Sequence, residues 1–284
     1  MSVDSTILIF MLSLTTTQHV AMKKTIILAS ALMLCSTQAF TAMPLQTDDT
    51  STQGKGHSQI EIGVEAAQDK ETEGEVSYKL TGGAITTTFT YGLTNDIDLV
   101  AGLPWEWYTE KENGLKVADE SGYGDLALQI KWRFYEMPDT GFSLALKPGL
   151  TLPTGDDDKG LGTGKVSGDV TLIATREAEL ASYHFNLGYS RNEYKLDELS
   201  ETSRKNIWHA SLAAELNVTD KLRAVGDIGI ETNSDKDADT NPAYILGGLI
   251  YAVSDYTDLD IGIRSGLNDA ETDTTLLAGA TIRF

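Results

Sequence analysis

The sequence predicts an all-β fold, an antiparallel up-and-down transmembrane β-barrel of about twelve strands. The first observation is the C-terminal segment, residues 273–284, in which apolar side chains alternate with small or polar ones up to a final aromatic residue. The second is that one face of the seven clearest predicted strands is free of charge, whereas the other face holds charged residues. The third is that the connections between strands alternate in length.

The closing segment sets the pattern for the other strands. Its apolar face is formed by the alternate residues Leu276, Ala278, Ala280, Ile282 and Phe284. The opposite face is small or polar, with Leu277 as its exception. A period of two is that of a β-strand. Because a terminal aromatic residue resembles the recognition signal of the barrel-assembly machinery, we predict that Phe284 is an assembly signal and that this machinery is a partner.

The same alternation divides residues 59–284 into about twelve segments, most of them long enough for a tilted strand to cross a bilayer. These segments are 59–67, 75–92, 97–110, 124–136, 142–154, 168–178, 183–194, 206–218, 222–232, 242–253, 258–268 and 274–284. Segment 242–253 shows the alternation least clearly, because its apolar residues fall on both faces.

The two faces of the clearest strands differ in polarity. Outer rows such as Leu126, Leu128, Ile130, Trp132 and Phe134 hold no charge. The inner rows hold Asp98, Glu106, Asp125, Lys131, Arg133, Lys147, Glu215, Arg223, Asp227, Glu231, Asp260, Arg264 and Arg283. An Arg or Lys on the lipid face at mid-depth would cost about 2–4 kcal/mol, so an uncharged outer row is typical of a membrane barrel. A small water-soluble barrel would show the reverse polarity.

The connections favour the same fold. Short connections, such as TND and MPDTG, alternate with mostly longer and acidic ones, such as TEKENGLKVADESG and TNSDKDADTN. Outer-membrane barrels have short turns on one rim and long loops on the other, whereas a soluble sandwich, the alternative fold, has no reason to segregate them. An even number of strands then places both termini at the periplasmic rim.

Aromatic residues concentrate toward the two ends of the predicted strands, as in the girdles of membrane barrels. Those toward the long loops are Trp105, Trp107, Tyr108, Tyr189, Tyr194, Trp208 and Tyr244. Those toward the short turns include Tyr91, Trp132, Phe134, Tyr251 and Phe284. The predicted location is therefore the outer membrane of a Gram-negative bacterium, with the lipid bilayer as a partner.

The N-terminal region predicts export. From Met22, two lysines are followed by an apolar stretch and then by small residues, the pattern of a secretory signal peptide over residues 22–42. Residues 1–21 lack a basic start, so we interpret them as an over-extended start. Residues 43–58 are polar and are predicted to be a flexible periplasmic lead-in to the barrel at 59–284.

Composition excludes several other classes of protein. The net charge of −20 repels phosphate, so nucleic acid is not expected as a partner. The single cysteine, Cys35, gives neither a disulfide framework nor a thiolate metal site, and Leu34 before it disfavours a lipid anchor. No run of apolar residues reaches the length of a transmembrane helix.

Two stretches resemble a known family. They are GYGDLALQIKWRFYE at 122–136 and LALKPGLTLPTGDDDKGLGTGKVSGDV at 144–170, of which LPTGD and LGTG are the most specific parts. With them the chain resembles the outer-membrane proteins of the meta-pathway phenol-degradation (MetA) family over nearly the whole mature chain. The resemblance implies a transporter of small, often aromatic or hydrophobic compounds, and it implies no catalytic residues and no cofactor.

The expected function is therefore an outer-membrane channel or transporter for small solutes, which we expect to be aromatic or anionic, and not an enzyme. The residues expected to face solute in the lumen are Lys131, Arg133, Lys147, Glu106, Glu215, Asp227 and Arg264. An alternative is a structural or adhesive barrel whose lumen is plugged by its own side chains, since inner acids and bases nearly balance.

The β-hairpin around MPDTG gives the sharpest site hypothesis. Pairing about this turn sets Lys147 opposite Lys131, Arg133 or Gln129. Directly opposed like charges destabilise a sheet pair. Either Glu106 or a carboxylate from another wall neutralises this basic patch, or the patch is kept as a constriction that favours anionic solutes.

Two weaker patterns suggest a hydrolase and a calcium site. His209 and Ser211 have the His-x-Ser spacing of an outer-membrane lipid hydrolase, but their strand alternation points them into the lumen, away from lipid. Asp235, Asp237 and Asp239 begin like a calcium loop, but Thr240 stands where the turn glycine is needed. We therefore predict no catalytic site and no metal site.

Overall fold

The computed structural model describes residues 43–284, and the predicted boundaries within residues 1–42 lie outside the described residues. Thirteen strands form one sheet, in which each strand is antiparallel to its neighbours. They are β1 Ser58–Glu73, β2 Val76–Gly92, β3 Ile97–Glu112, β4 Leu115–Tyr123, β5 Leu126–Met137, β6 Phe142–Leu152, β7 Ser167–Glu177, β8 Ala181–Arg191, β9 Asn206–Thr219, β10 Leu222–Glu231, β11 Ala243–Ser254, β12 Thr257–Gly266 and β13 Thr274–Arg283.

The sheet closes on itself because β1 pairs with both β2 and β13. Strand β3 pairs with β5 along its first part and with β4 along its second part, so β4 and β5 share one position in the wall. The result is a closed antiparallel barrel of 12 strand positions, which confirms the predicted fold class. Helix is limited to α1, Asp197–Thr202, and a single 3₁₀ turn, Asp157–Lys159, within the described part of the chain.

The closing seam joins the first residue of β1 to the C-terminal residue of the chain. The backbone N–H of Ser58 donates to the carbonyl of Phe284 at 2.7 Å, and the N–H of Phe284 donates back to Ser58 at 2.9 Å. The Phe284 side chain itself is exposed on the outer face. The terminal residue therefore completes the sheet with its backbone and leaves its ring free to meet other molecules.

The predicted long loop at 109–122 is instead a β-hairpin, which corrects the sequence assignment. Asn113 and Gly114 both have positive φ, 51° and 82°, as a two-residue type I′ turn requires. The Asn-Gly pair is a hairpin signal that the sequence contains. The hairpin continues β3 into β4, and with the ends of β1 and β2 it extends the wall on one side of the barrel.

The polarity of the wall follows the predicted alternation. Outer-row residues such as Leu128, Ile130 and Trp132 are exposed, whereas inner-row Asp98 and Lys147 are buried. Within residues 43–284 no helix is long and apolar enough to cross a membrane.

Three aromatic residues depart from the predicted girdles. Tyr108 points inward and packs against Leu80 and Leu161, and Tyr194 is buried in the loop after β8, where its backbone pairs with Gly164. Tyr244 also points inward, where its hydroxyl donates to Asp227 at 3.2 Å. Position near a strand end does not by itself place an aromatic ring in lipid, because the inner face of the same strand end is equally close.

Candidate functional site

Residues 43–57 are here called the lumenal segment; residues 43–50 lie inside the barrel, and residues 51–57 lead from there to the exposed rim. Pro44, Leu45, Thr47, Asp48 and Thr50 are all buried, and their contacts are with inward-facing side chains on opposite sides of the wall. The sequence predicts a flexible lead-in outside the barrel for residues 43–58. The structure corrects this prediction, and the physical reason is that the inner wall supplies both apolar and ionic partners for the segment.

The apolar partner is a cluster around Leu45, which is 2% exposed. The wall residues in this cluster are Ala213, Val225, Leu246, Ile250 and Leu277, with Met43 and Tyr244 packed against them. Leu277 is the exception in the alternation of the closing strand, and Leu246 and Ile250 are the residues that obscure the faces of β11. Strand alternation points these three apolar side chains into the lumen, and Leu45 covers them there.

Close approach to the wall depends on glycines. A Cβ added at Gly248 or Gly262 would lie 2.8 or 2.9 Å from side-chain carbons of Pro44. A Cβ on Gly92 would lie within 1.8 Å of the Gly54 carbonyl oxygen, where the segment passes the rim. Such distances are well below van der Waals contact, so the segment rests directly on backbone at both ends.

The ionic partner is a pair of lysines. Gln129 pairs with Gly149 and Trp132 pairs with Leu146, so the register places Lys131 directly opposite Lys147. This is one of the like-charge registers expected from the sequence. Pro148 has no N–H to donate between them.

Asp48 of the lumenal segment bridges the two lysines. Its Oδ1 lies 2.8 Å from Lys131 Nζ and its Oδ2 lies 2.7 Å from Lys147 Nζ. Lys147 is 3% exposed, so its charge has little access to water. The neutralising carboxylate thus comes from the segment rather than from the wall. Glu106 cannot take this role, because it lies eight residues beyond Asp98, the partner of Lys131, or about 27 Å along β3.

Asn186 holds the backbone of Asp48. With its amide oriented to satisfy both groups, Asn186 donates to the Asp48 carbonyl at 2.9 Å and accepts from the Asp48 N–H at 2.7 Å. Asn186 is 1% exposed. The carboxylate and its own peptide groups are therefore all bound by the wall, which fixes the position of Asp48.

Further polar contacts fix the segment on either side of Asp48. The Asp227 carboxylate accepts from the backbone N–H groups of Gln46 and Thr47 at 2.7 and 2.8 Å. The Thr50 N–H donates to Thr175 Oγ1 at 3.1 Å, and the Gln53 N–H donates to the Asp98 carboxylate at 3.0 Å.

The barrel built from these elements can be compared with known proteins. The model for the family "Putative MetA-pathway of phenol degradation" matches residues 42–284. The chain belongs to this family. None of the curated proteins matches the sequence significantly.

Solved structures with a similar barrel come from outer-membrane proteins. The COG4313 outer membrane channel from Pseudomonas putida F1 is 14% identical, with 83% of this chain and 98% of that chain covered and a TM-score of 0.64. The KdgM porin is 8% identical, with 80% and 99% covered and a TM-score of 0.54. The translocator domain of autotransporter NalP from Neisseria meningitidis is 12% identical, with 95% and 98% covered and a TM-score of 0.50. These likenesses establish that the fold is that of outer-membrane barrels.

The stretch that suggested the MetA family folds over the break between β4 and β5. The Asp125 carboxylate accepts from the backbone N–H groups of Gly155 and Thr163, both at 2.9 Å. A Cβ on Gly155 would lie 2.1 Å from the Leu161 carbonyl oxygen. The glycines and threonines of LPTGD and LGTG therefore shape a compact loop around one carboxylate.

The other predicted lumen residues form separate contacts. Arg133 lies 3.2 Å from Asp96 in the turn before β3, so it does not join the lysine pair. Glu215 lies 2.6 Å from Arg223, in an ionic chain that continues to Asp258 and Arg283. Arg264 lies over the ring of Tyr244, with 5.8 Å between Cζ and the ring centroid.

The residues whose spacing suggested catalysis and calcium binding have structural roles. Ser211 Oγ lies 2.7 Å from Thr47 Oγ1, and the ring of His209 lies directly over Gly188. Within residues 43–284, no group of three or more His, Cys, Asp or Glu side chains is arranged to hold a metal ion. The aspartate-rich loop 232–242 is instead held by Arg204, which donates to the carbonyls of Asn233, Lys236 and Ala238 at 2.9, 2.9 and 3.1 Å.

An ionic cluster outside the membrane wall orders the neighbouring loop. Glu193 lies 2.7 Å from Lys205 and 3.0 Å from Arg191. The hydrogen bond from Lys205 holds the pKa of Glu193 below its usual value, so the carboxylate stays ionised across the ordinary pH range.

Proposed function

We propose that the protein is an outer-membrane channel for small solutes that combine a carboxylate with an apolar body. The observation that supports this proposal is the Asp48 carboxylate held between Lys131 and Lys147. Two opposed lysines, one of them almost fully buried, form a strong site for an anion. In this proposal Asp48 occupies that site at rest, and a solute carboxylate takes its place.

The lumenal segment also indicates the shape of the solute. Leu45 lies three residues before Asp48, at most about 10 Å along an extended chain. The wall thus receives an apolar group and an anionic group separated by a short distance. Small aromatic acids have this arrangement. The family description, which names phenol degradation, supports an aromatic solute without specifying one.

Several further features of this proposal follow from the barrel type. The KdgM porin and the COG4313 channel are described as a porin and an outer membrane channel, which supports transport rather than catalysis. We assign both ends of the barrel wall, the start of β1 and the end of β13, to the periplasmic rim, because an even number of strand positions brings them to the short-turn side. The barrel-assembly machinery is the expected partner during insertion.

A plugged structural barrel is the second candidate. The favouring observation is the number of separate bonds that hold the segment, among them those from Asp227 and Asn186. In that case the segment would never leave the lumen, and the wild-type protein would not conduct.

The deciding experiment is ion conduction through refolded protein in planar bilayers, with the wild type compared with Asp48→Asn. Removing one partner of a buried ion pair costs roughly 3–5 kcal/mol. In Asp48→Asn the lumenal segment should therefore be bound more weakly to the wall, and Lys131 and Lys147 should become accessible to solute anions. We expect larger conductance, a reversal potential shifted toward anions, and a benzoate block that the neutral benzamide does not produce.

Asp49→Asn is the matched control, since the Asp49 carboxylate accepts from the nearby Ser51 N–H and neither lysine is within ion-pair distance. Because the Asp49 charge acts on Lys131 only without an ion pair, this control should change conductance and selectivity far less than Asp48→Asn does. A silent Asp48→Asn variant that is correctly folded would exclude the channel proposal and favour the plugged barrel.

A further inference from the structure

Four lysines stand side by side on the extended wall formed by the ends of β1, β2, β3 and β4. Lys70 pairs with Lys79, Lys79 pairs with Lys111, and Lys111 pairs with Lys116. Neighbouring strands lie about 4.8 Å apart, so the row spans about 14 Å. We refer to Lys70, Lys79, Lys111 and Lys116 as the lysine row.

The lysine row faces outward. Side chains on one face recur every second residue, and the outward-facing residues Val64, Ile85 and Trp105 lie an even number of positions from Lys70, Lys79 and Lys111 respectively. No register shift interrupts the pairing of β1 with β2 or of β2 with β3. The pairing of β3 with β4 shifts between Glu110 and Lys111, and after the shift Lys116 pairs directly with Lys111. The row therefore lies on the same side of the wall as the lipid-facing residues.

The charges of this wall are separated by face. The inward positions beside the row include Asp69, Glu71, Glu110 and Glu112. The chain has 42 acids and 22 bases, so acids to pair with these lysines are abundant. Directly opposed like charges destabilise a sheet. The row of four lysines on adjacent strands therefore lowers the stability of the wall unless another group neutralises their charge.

Neutralisation on the outward face is limited. Lys116 forms an ion pair with Asp119 at 2.6 Å, and Asp273 accepts from the backbone N–H of Lys70. Among the described side chains, no ion pair involves the ammonium groups of Lys70, Lys79 or Lys111. The row therefore keeps a net positive charge that an external anion can meet.

The height of the row matches the edge of a membrane. Lys70 lies eleven residues beyond Gln59, or about 37 Å along β1, which becomes about 29 Å above the rim when a strand tilt of roughly 40° is allowed for. The apolar band of an outer-membrane barrel is about 25 Å tall. The lysines thus stand just beyond the hydrocarbon, at the level of lipid headgroups, and Trp105 and Trp107 lie below them on β3.

We propose that the lysine row binds the phosphate groups of the phosphorylated lipids in the outer leaflet. The occupant is a lipid headgroup rather than a soluble polyanion, because the row faces away from the lumen and is continuous with the lipid-facing surface. The inference uses the proposed orientation of the barrel but is independent of its solute. Bound headgroups would tie the extended wall to the membrane surface.

The test measures binding of diphosphoryl lipid A in mixed micelles to the full-length refolded protein. Lys79→Gln/Lys111→Gln removes the two central charges. Each basic residue near an anionic headgroup contributes roughly fivefold, so the double variant should bind about 30-fold more weakly, with a smaller dependence on salt. Lys55→Gln/Lys221→Gln makes the same charge change at exposed positions on the opposite rim and should bind like the wild type.

Thermal unfolding separates this role from a structural one. In neutral detergent the Lys79→Gln/Lys111→Gln variant should unfold no earlier than the wild type, because repulsion between lysines is relieved. On addition of diphosphoryl lipid A the wild type should gain more stability than the variant. Three results would each overturn the proposal. They are equal lipid A affinity in the wild type and the Lys79→Gln/Lys111→Gln variant, an equal loss of affinity in the Lys55→Gln/Lys221→Gln control, and displacement of lipid A by inorganic phosphate at the concentration at which free lipid A displaces it.

Discussion

Asp48 and Lys147, 99 residues apart in sequence, form a 2.7 Å ion pair inside the barrel. Lys131 completes the arrangement on the other oxygen of the same carboxylate. A buried charge that loses its partner is strongly destabilising. The position of the lumenal segment and the charge of the lumen are therefore coupled, and a change in one should be measurable in the other.

Replacing both lysines should reverse the selectivity of the lumen. In Lys131→Glu/Lys147→Glu, two carboxylates would repel Asp48 and attract cations, so we expect the reversal potential in planar bilayers to move toward cation selectivity. Lys55→Glu/Lys221→Glu changes the total charge equally, at exposed positions, and should have a small effect. Unchanged selectivity in a conducting lysine variant would remove the lysine pair from the solute pathway.

Leu45→Ala should loosen the lumenal segment without unfolding the wall. Truncating a buried leucine typically costs about 2–5 kcal/mol, and here the leucine side chain packs the segment against inner residues of β9, β10, β11 and β13. A Thr47→Cys reporter would follow the release, because Thr47 is 2% exposed. Its maleimide labelling should become at least about tenfold faster, which corresponds to a loss of 1.4 kcal/mol or more.

The control for this release is Leu276→Ala, which truncates the neighbouring outward-facing residue of β13. Leu276 is 57% exposed and does not contact the segment cluster, so the labelling rate of the reporter should not change. Equal labelling rates in the Leu45→Ala and wild-type backgrounds would mean that the apolar cluster does not hold the segment.

Deleting Phe284 should reduce the amount of assembled barrel more than its stability. The ring is 61% exposed and therefore adds little packing to the wall, although the deletion also removes the backbone bonds to Ser58. Phe284→Ala keeps those bonds and removes only the ring. If the ring is the assembly signal, both variants should show low yields of heat-modifiable barrel in membranes, while protein refolded in detergent should melt near the wild-type temperature. Full membrane yield of Phe284→Ala would contradict the role.

The membrane form of the protein should begin near Phe40 or Met43. The signal pattern over residues 22–42 predicts cleavage there, with residues 1–21 not translated. Intact-mass measurement of protein extracted from the outer membrane checks this directly. A mass that includes Met1 would contradict both the start site and the cleavage.

The wall of the barrel could be predicted from the sequence, but its contents could not. Alternation defines the faces of strands such as β5 because lipid outside and polar groups inside impose opposite demands on successive residues. The lumenal segment has no such period, and its partners lie on strands far away in sequence. The sequence did contain one sign of a covered lumen, in residues that break the alternation. Leu246, Ile250 and Leu277 are apolar residues on the inner face. An apolar residue on the inner face needs another apolar group to cover it, and the nearest chain outside the predicted strands was the predicted lead-in, residues 43–58.

The seam between Ser58 and Phe284 has a quantitative consequence for the proposed exchange. Because the seam anchors Ser58 in the sheet, Asp48 released from the lysines would stay attached through only ten residues. A group on a short flexible tether competes at an effective concentration in the millimolar range. An incoming carboxylate at micromolar concentration would then seldom displace Asp48, whereas one near millimolar concentration would do so often. The covalent connection would thus set a concentration threshold. Solute would enter when its concentration outside the cell is near millimolar, and would seldom enter at micromolar concentration.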